Sequence, residues 1–375
     1  MKVFIQAIVG QLLLNPYIFI RGYQAIPASK KWRIPYTLFF ILEIATYLTG
    51  FFFRKELPDD VFIPIMQFCN TWYIATLYIT MSLLLLELIR FTNRYIPVIP
   101  KWIKKHYPKT KLILFFVIVV GVTGLMINAY HTVTNPVVTH VNIKLPKKGS
   151  NRDSLTIVMM SDLHIGETIN RELVHKYVTL ANEQKADIVV LVGDIMDYES
   201  RMAIKYKAEE ELRQLKAPLG TYIVLGNHEY RANINEKRKW LRKTGGTLLI
   251  DSVAMPDSSF YLVGRDDLVN KKRKALHTLT KNLDKDKPVI VLDHQPFSFA
   301  EMAMNRIDLG LFGHTHNGQF WPYPLIMKLI FECPYGYYKK GDAQFYVSSG
   351  IGCAGPPYRV GTVSELVVLH ITFQE

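Results

Sequence analysis

Five short stretches of this 375-residue sequence end in side chains that hold metal ions or move protons: Asp162-Leu-His164, Gly193-Asp194, Gly226-Asn227-His228-Glu229, Asp293-His294 and His314-Thr-His316. Carboxylates, imidazoles and one carboxamide, with no thiolate among them, make a hard-to-borderline donor set. Such a set suits divalent Mn, Fe, Zn or a similar ion better than it suits a thiolate zinc site or a calcium cage. Two Asp, one Asn and four His are enough donors for two ions. A pair of ions about 3.5–4 Å apart deprotonates a water held between them near neutral pH, so metal-assisted hydrolysis is the chemistry on offer. Taken singly, each stretch says little, since a lone Gly-Asp-x-x-Asp is more often a turn than a metal site. Their number and order carry the inference.

The elements that must position these donors are legible as apolar runs. LTIVMMSD, ADIVVLVGD, GTYIVLGN, KPVIVLDH and LGLFGHTH read as buried strands, with helices near 170–184 and 205–215 between the early ones. TLLIDS, FYLVGR, FYVSSG and SELVVLHITF add strands with fewer helices between them. The expected class is α/β, with at least one sheet buried on both faces. Ligands of such sheets collect at the carboxyl ends of the strands, and all five main runs nominate that rim. Strand alternation is expected to send Asp162 and His164 to one side, while a turn is expected to separate His314 from His316. His131, His140, His277 and His370 are given no role, because a lone histidine is more often surface or satisfied core.

The order DLH, GDIMD, GNHE, DH and GHTH resembles the five-part signature of the calcineurin-like metallophosphoesterases, across about residues 160–320. The resemblance implies a sandwich of two mixed sheets flanked by helices. It also implies that Asp162, His164 and His316 bind one metal and that Asn227, His294 and His314 bind the other, with Asp194 bridging. His228 would be an acid and not a ligand, oriented by Asp197 through a hydrogen bond. GHTHNGQFWP resembles the GHTHGGQ run of a membrane-associated bacterial branch of the family, with Asn317 where glycine is frequent, and SSGIGCAGPPYRVGTVSELVVLHI resembles that branch's last strand pair. Arg359 could reach a substrate phosphate with its planar fork of donors, or could be an ordinary surface arginine. Tyr335, Tyr337, Tyr338, Phe320 and Trp321 fall near the expected mouth, where they could hold an apolar substrate or pack a lid.

The first third of the chain is of a different kind. Apolar segments at about 3–20, 34–53, 65–89 and 111–129 approach the roughly 20 residues that cross a bilayer. The first is the weakest, interrupted by Gln6, Gln11, Asn15 and Pro16, and it lacks a small-residue cleavage site, so a retained helix is expected. The division is therefore a four-helix transmembrane region over 1–130, a strand-containing linker over 131–153 and a metallophosphoesterase domain over 154–375. Glu43 and Glu87 lie in or near spans, where a carboxylate is costly. Glu43 is expected to pair inside the bundle or stay protonated, and Glu87 to reach the interface. Cys333 and Cys353 could form a disulfide or remain thiols, and Cys69 lies within a span.

Much of the net charge of +13 sits in two loops. One holds Arg21, Lys30, Lys31 and Arg33; the other holds Arg90, Arg94, Lys101, Lys104, Lys105, Lys109 and Lys111. Both are expected in the cytoplasm, facing anionic headgroups, so no nucleic-acid partner is inferred from the charge. Between them, Arg54 and Lys55 are offset by Glu56, Asp59 and Asp60. The last helix leaves the Lys-rich loop behind, so the C-terminal domain is expected outside the cytoplasm of a bacterial inner membrane. The expected protein is a membrane-anchored, metal-dependent phosphoesterase acting on a phosphomonoester, phosphodiester or pyrophosphate that is lipid- or envelope-linked. The alternatives are a nuclease of the same fold and a non-catalytic membrane scaffold or sensor. Some hydrolases of the branch resemble UDP-2,3-diacylglucosamine pyrophosphatases, whose cytoplasmic substrate conflicts with this orientation. A C-terminal alkaline phosphatase fusion is expected to be active; a silent one beside a fluorescent C-terminal green fluorescent protein fusion would reverse the orientation.

Overall fold

The computed structural model describes residues 2–53, 56–146 and 149–374, with side chains from residue 10 onward. Arg54, Lys55, Lys147, Lys148 and the side chain of Gln6 lie outside the described residues. The chain divides into two compact units, Met1–Asn128 and Ala129–Glu375.

The first unit is helical. Among the described residues, three helices are long and apolar enough to cross a membrane: Lys30–Phe52, Asp59–Tyr95 and Tyr107–Thr134. These three match the expected second, third and fourth spans. The expected first span falls in helix Lys2–Tyr23, whose first residues lie outside the described side chains. Gln11 and Asn15 are buried, Asn15 Nδ2 donating to Glu43 at 2.9 Å and Gln11 Nε2 to Thr76 at 3.2 Å. Trp72 Nε1 donates to Asn15 at 3.0 Å. Glu43 therefore pairs inside the bundle, while Glu87 pairs with Arg21 and Arg90.

The second unit holds two six-stranded sheets. The strands are β1 Val137–Pro146, β2 Ser154–Met160, β3 Ile188–Val192, β4 Thr221–Val224, β5 Thr247–Leu248, β6 Ser252–Ala254, β7 Tyr261–Gly264, β8 Val289–Leu292, β9 Leu309–Phe312, β10 Gly336–Lys340, β11 Ala343–Val347 and β12 Glu365–Gln374. One sheet runs β1-β12-β2-β3-β4-β5 and the other β10-β11-β9-β8-β7-β6. Both are mixed: β2 to β5 and β7 to β9 are parallel, whereas β12 is antiparallel to β2 and β6 to β7. Val137–Pro146 is the strand of the segment expected as a strand-containing linker, and it pairs with β12 over ten residues as the sheet's edge.

Alternation within the apolar runs explains the layering. Ile157 and Met159 of β2, Val190 of β3, Leu292 of β8 and Leu311 of β9 join one core between the sheets. Their neighbours Val158, Met160, Val189 and Leu191 join a second core with Val174, Tyr177 and Val178 of helix Arg171–Glu183. Val289, Val291 and Phe345 pack with Phe299 and Met302 on the other sheet's far side. Sheets covered on both faces need apolar residues at every strand position, which is why these runs are continuous. Glu365, at the start of β12, ties the sheets by accepting from the Ser349 amide at 2.8 Å and Ser348 Oγ at 3.1 Å, just past β11. Cys333 and Cys353 are free and buried, as is Cys69. Leu369→Ala, in the inter-sheet core, is expected to destabilise the domain by about 2–5 kcal/mol, seen as a lowered melting midpoint of the detergent-solubilised chain. A shift no larger than that of the exposed Lys271→Ala would place the core elsewhere.

Candidate metal centre

β2, β3 and β4 of one sheet and β8 and β9 of the other deliver polar residues just past their ends, so the donors gather at one rim. The chain leaves the strands in a rare conformation. Asp162, His164, Asp194, His314 and His316 have φ of 55°, 50°, 52°, 74° and 49°, in the left-handed region that non-glycine residues seldom visit. Such strain, about 1–3 kcal/mol per residue, persists where the surroundings over-determine it and clusters at functional sites. β2 ends at Met160, so Asp162 and His164 meet through this turn and not through strand alternation as expected.

Donor atoms of Asp162, His164 and His316 lie within 4.8 Å of one another, and so do those of Asp194, His294 and His314. His314 and His316, two residues apart, thus fall into different groups. Asp194 Oδ2 stands between them, 3.2 Å from His294 Nε2 and 3.7 Å from His164 Nε2. Nε2 of His164 and Nε2 of His316 face each other at 3.1 Å, and His316 Nε2 is 3.4 Å from Asp162 Oδ1. His228 forms a third group with His164 and Asp194, but its Nδ1 is 3.0 Å from Asp197 Oδ1, leaving Nε2 for the site.

The donor set fits divalent cations. Asn227 Oδ1 is buried without a hydrogen-bond partner, a cost that a cation beside it would remove. His294 Nδ1 is 2.8 Å from the Val192 carbonyl, which fixes the ring so that Nε2 faces the centre. Electrostatics point the same way. Burial would lower the His294 pKa, but Asp194, Asp162 and Asp267 raise it well above the usual value, so this rim is a strongly negative field. Burial and His294 push His314 down to about 3, and burial, His164 and Arg359 push His316 well down, leaving neutral rings with free lone pairs. Burial would raise Asp194, yet His294, His228 and His164 hold it well below its usual value. Asp197 is likewise held ionised by His164 and His228 against burial. Burial and His164 lower His228, with Asp194 and Asp197 opposing.

The loops are stitched by the same groups. Asp162 accepts from the His314 amide at 3.0 Å, and Asp194 accepts from the His228 amide at 2.8 Å. Gly226 and Gly313 permit this closeness: a Cβ on Gly226 would lie 2.1 Å from Asp194 Oδ1, and one on Gly313 2.4 Å from Asp162 Oδ2.

Arg359 is not at the surface and does not face a substrate as expected. It is 1% exposed, and it donates to the carbonyls of Ser349, Gly350, Gly352 and His316 while Nη2 lies 3.2 Å from His316 Nδ1. Its role is to hold the His316 turn. Tyr335 and Tyr338 donate to Glu365 and Glu332, whereas Trp321 and Tyr337 are exposed.

Two positioning residues had no assigned role. Glu229 is fully buried and accepts from the amides of Asp194, Ile195, Met196 and Gly226 at 2.7–3.0 Å, fastening the loop after β3 to the loop after β4. Lys237 Nζ donates to the carbonyls of Asp197 and His228 at 2.6 and 2.7 Å. Glu229 was legible as the residue following Gly-Asn-His, but Lys237 is one of 45 Lys and Arg residues with no motif to mark it. Glu229→Gln turns an NH2 group toward amide donors and is expected to weaken metal affinity about 10–100-fold, measured by metal titration of the purified chain. Unchanged affinity would remove Glu229 from the support of Asp194.

A sequence model of the family described as calcineurin-like phosphoesterase matches residues 155–318, the span that carries the whole rim. An uncharacterized metallophosphoesterase of Campylobacter jejuni is 29% identical over 96% of this chain and 95% of its own length. A Danio rerio protein named as a transmembrane protein with metallophosphoesterase domain is 29% identical over 92% of this chain and 82% of its own. An uncharacterized metallophosphoesterase of Aquifex aeolicus is 34% identical over 61% of this chain and 87% of its own. With that identity spread over nearly all of the Aquifex protein, the chain belongs to the calcineurin-like metallophosphoesterases, metal-dependent hydrolases of phosphoesters.

Proposed function

We propose that this chain is a membrane-anchored, two-metal phosphoesterase acting on a phosphomonoester, phosphodiester or pyrophosphate of lipid or cell-envelope character. The reading is carried by the division of His314 and His316 between two donor groups flanking Asp194. We assign Asp162, His164 and His316 to one ion, Asn227, His294 and His314 to the other, and Asp194 to both. Two divalent ions of Mn, Fe or Zn type, when bound, supply an ionised water nucleophile near neutral pH and positive charge for the phosphoryl oxygens.

The protein's own groups do the rest. The Val192 carbonyl and Arg359 hold the rings of His294 and His316 in place. Asp197 fixes His228 through Nδ1, so that Nε2 can protonate the departing oxygen or, as imidazolium, offset charge on the phosphoryl group. Burial of Asp162, Asp194 and His294 excludes bulk water from the donors.

The catalytic unit, about residues 154–375 with Val137–Pro146 as its edge strand, is assigned to the outer side of a bacterial inner membrane. Support comes from the Lys-rich loop that precedes helix Tyr107–Thr134. A cytoplasmic nucleotide sugar is then disfavoured, and a phosphoester resembling a phospholipid or undecaprenyl phosphate is preferred.

The purified full chain is expected to bind close to two metal ions and to hydrolyse p-nitrophenyl phosphate or its bis ester, with activity lost in Asp194→Asn. Metal without turnover on these or on lipid phosphates would make the chain a scaffold. His228→Ala is expected to keep both metals and lose turnover by about 10²–10⁴-fold. Loss of metal in that variant would make His228 a ligand.

A further inference from the structure

Just past the metal-centre turn His316–Gly318, the chain forms helix Tyr323–Ile330, of sequence YPLIMKLI, and none of its residues is buried. Leu325, Ile326, Leu329 and Ile330 are 56%, 43%, 86% and 56% exposed. A helix open to water ordinarily turns polar side chains outward, whereas this one carries Lys328 as its single charge. The apolar surface continues to the candidate metal centre. Exposed Phe297 stacks on Phe331 with centroids 4.8 Å apart, and Phe331 lies 6.1 Å from the His314 ring. At the helix's start, a Cβ on Gly318 would stand 2.7 Å from Pro324 N and from the Tyr323 carbonyl carbon, so the turn carrying His316 packs directly on the helix.

We propose that helix Tyr323–Ile330 is a membrane-contacting element, its leucine and isoleucine side chains entering the headgroup–acyl boundary of a phospholipid bilayer beside the phosphoesterase site. Contiguous exposed apolar surface marks an interaction site, and a short helix of this composition suits an interface that is apolar on one side and wet on the other. A lipid surface is the partner within reach, because three helices of the same chain are long and apolar enough to hold it at a bilayer. Trp321 and Tyr323, both exposed at the helix's N-terminal end, are the aromatics that settle at headgroup level. Lys328, with no acid in the helix, suits anionic headgroups. A second copy of the chain fits less well: two helical turns, about 12 Å long, are small against the roughly 800 Å² per partner of a stable interface. Access of a lipid phosphoester to the centre along Phe297 and Phe331 rests on the function proposed above; lipid contact by the helix does not.

The test uses the full chain reconstituted in vesicles of phosphatidylcholine and phosphatidylglycerol. Leu329→Cys, labelled with an environment-sensitive fluorophore, is expected to emit at shorter wavelength and to be quenched by nitroxide-bearing lipids, while a label at exposed Lys272→Cys stays water-like. A Leu329 label that is not quenched by the nitroxide lipids overturns the proposal, whether it resembles the Lys272 label or is shifted by contact with another protein copy. Separately, Leu329→Glu is expected to lower turnover of vesicle-borne phosphatidic acid about tenfold relative to turnover of soluble p-nitrophenyl phosphate. If the wild-type chain cleaves the soluble ester and no vesicle-borne one, the lipid substrate falls, and the quenching alone decides the helix.

Discussion

Imidazoles and carboxylates crowded into one buried space are the constraint around which the second unit is organised. Nε2 of His164 faces Nε2 of His316 at 3.1 Å, and Asp162 and Asp194 crowd the same space. Burial denies these groups water, and it and the neighbouring Asp194 carboxylate push the Asp162 pKa up. Cations reconcile them, and folding must bring them together even so. The two carboxylates help by serving twice: each accepts a backbone amide from another loop, Asp162 from His314 and Asp194 from His228. The groups that make the centre negative are therefore also the groups that hold its loops in register.

Everything outside this cluster can be read as the means of enforcing it. Five residues in the left-handed region store strain at the rim, and strain of that kind survives only on a rigid base. The base is the continuous core between the sheets, flanked by two further cores on their outer faces. Glu229, Lys237 and Arg359 then transmit that rigidity. Each is buried, and each spends its charge on backbone amides or carbonyls of the ligand-bearing loops. A charged group so placed gains several hydrogen bonds at once, which offsets the desolvation that would otherwise forbid it.

The helical unit shows the same physics among apolar helices. Asn15 and Gln11 weaken helix Lys2–Tyr23 as an apolar span, and they are the residues that bond Glu43, Trp72 and Thr76 of neighbouring helices. Polar residues in an apolar bundle act as glue between helices, so the polar interruptions of one helix are the points at which it pairs with the next. Helix Tyr323–Ile330 presents the reverse case, with Leu325, Ile326, Leu329 and Ile330 left exposed. Both sit on segments whose local sequence contradicts a simple reading of span or surface.

The sequence by itself determined the donor chemistry, the five strands that carry it and the family to which the chain belongs. These are properties of residue type and local order: an apolar run of five residues makes a strand wherever it is buried, and Asp, His and Asn keep their chemistry in any fold. The sequence could not decide how Asp162 comes to meet His164, because a left-handed turn is imposed by contacts from other loops and not by the residues that adopt it. Arg359 could be read as phosphate-binding or as a surface arginine until the structure buried it against Ser349, Gly350 and Gly352, and the strand expected in the 131–153 linker had no partner until Val137–Pro146 paired with β12. Lys237 had no signature at all. In each case the deciding partner is distant in sequence, so only the folded chain could set which charge is solvated, which strand is an edge and which backbone is strained.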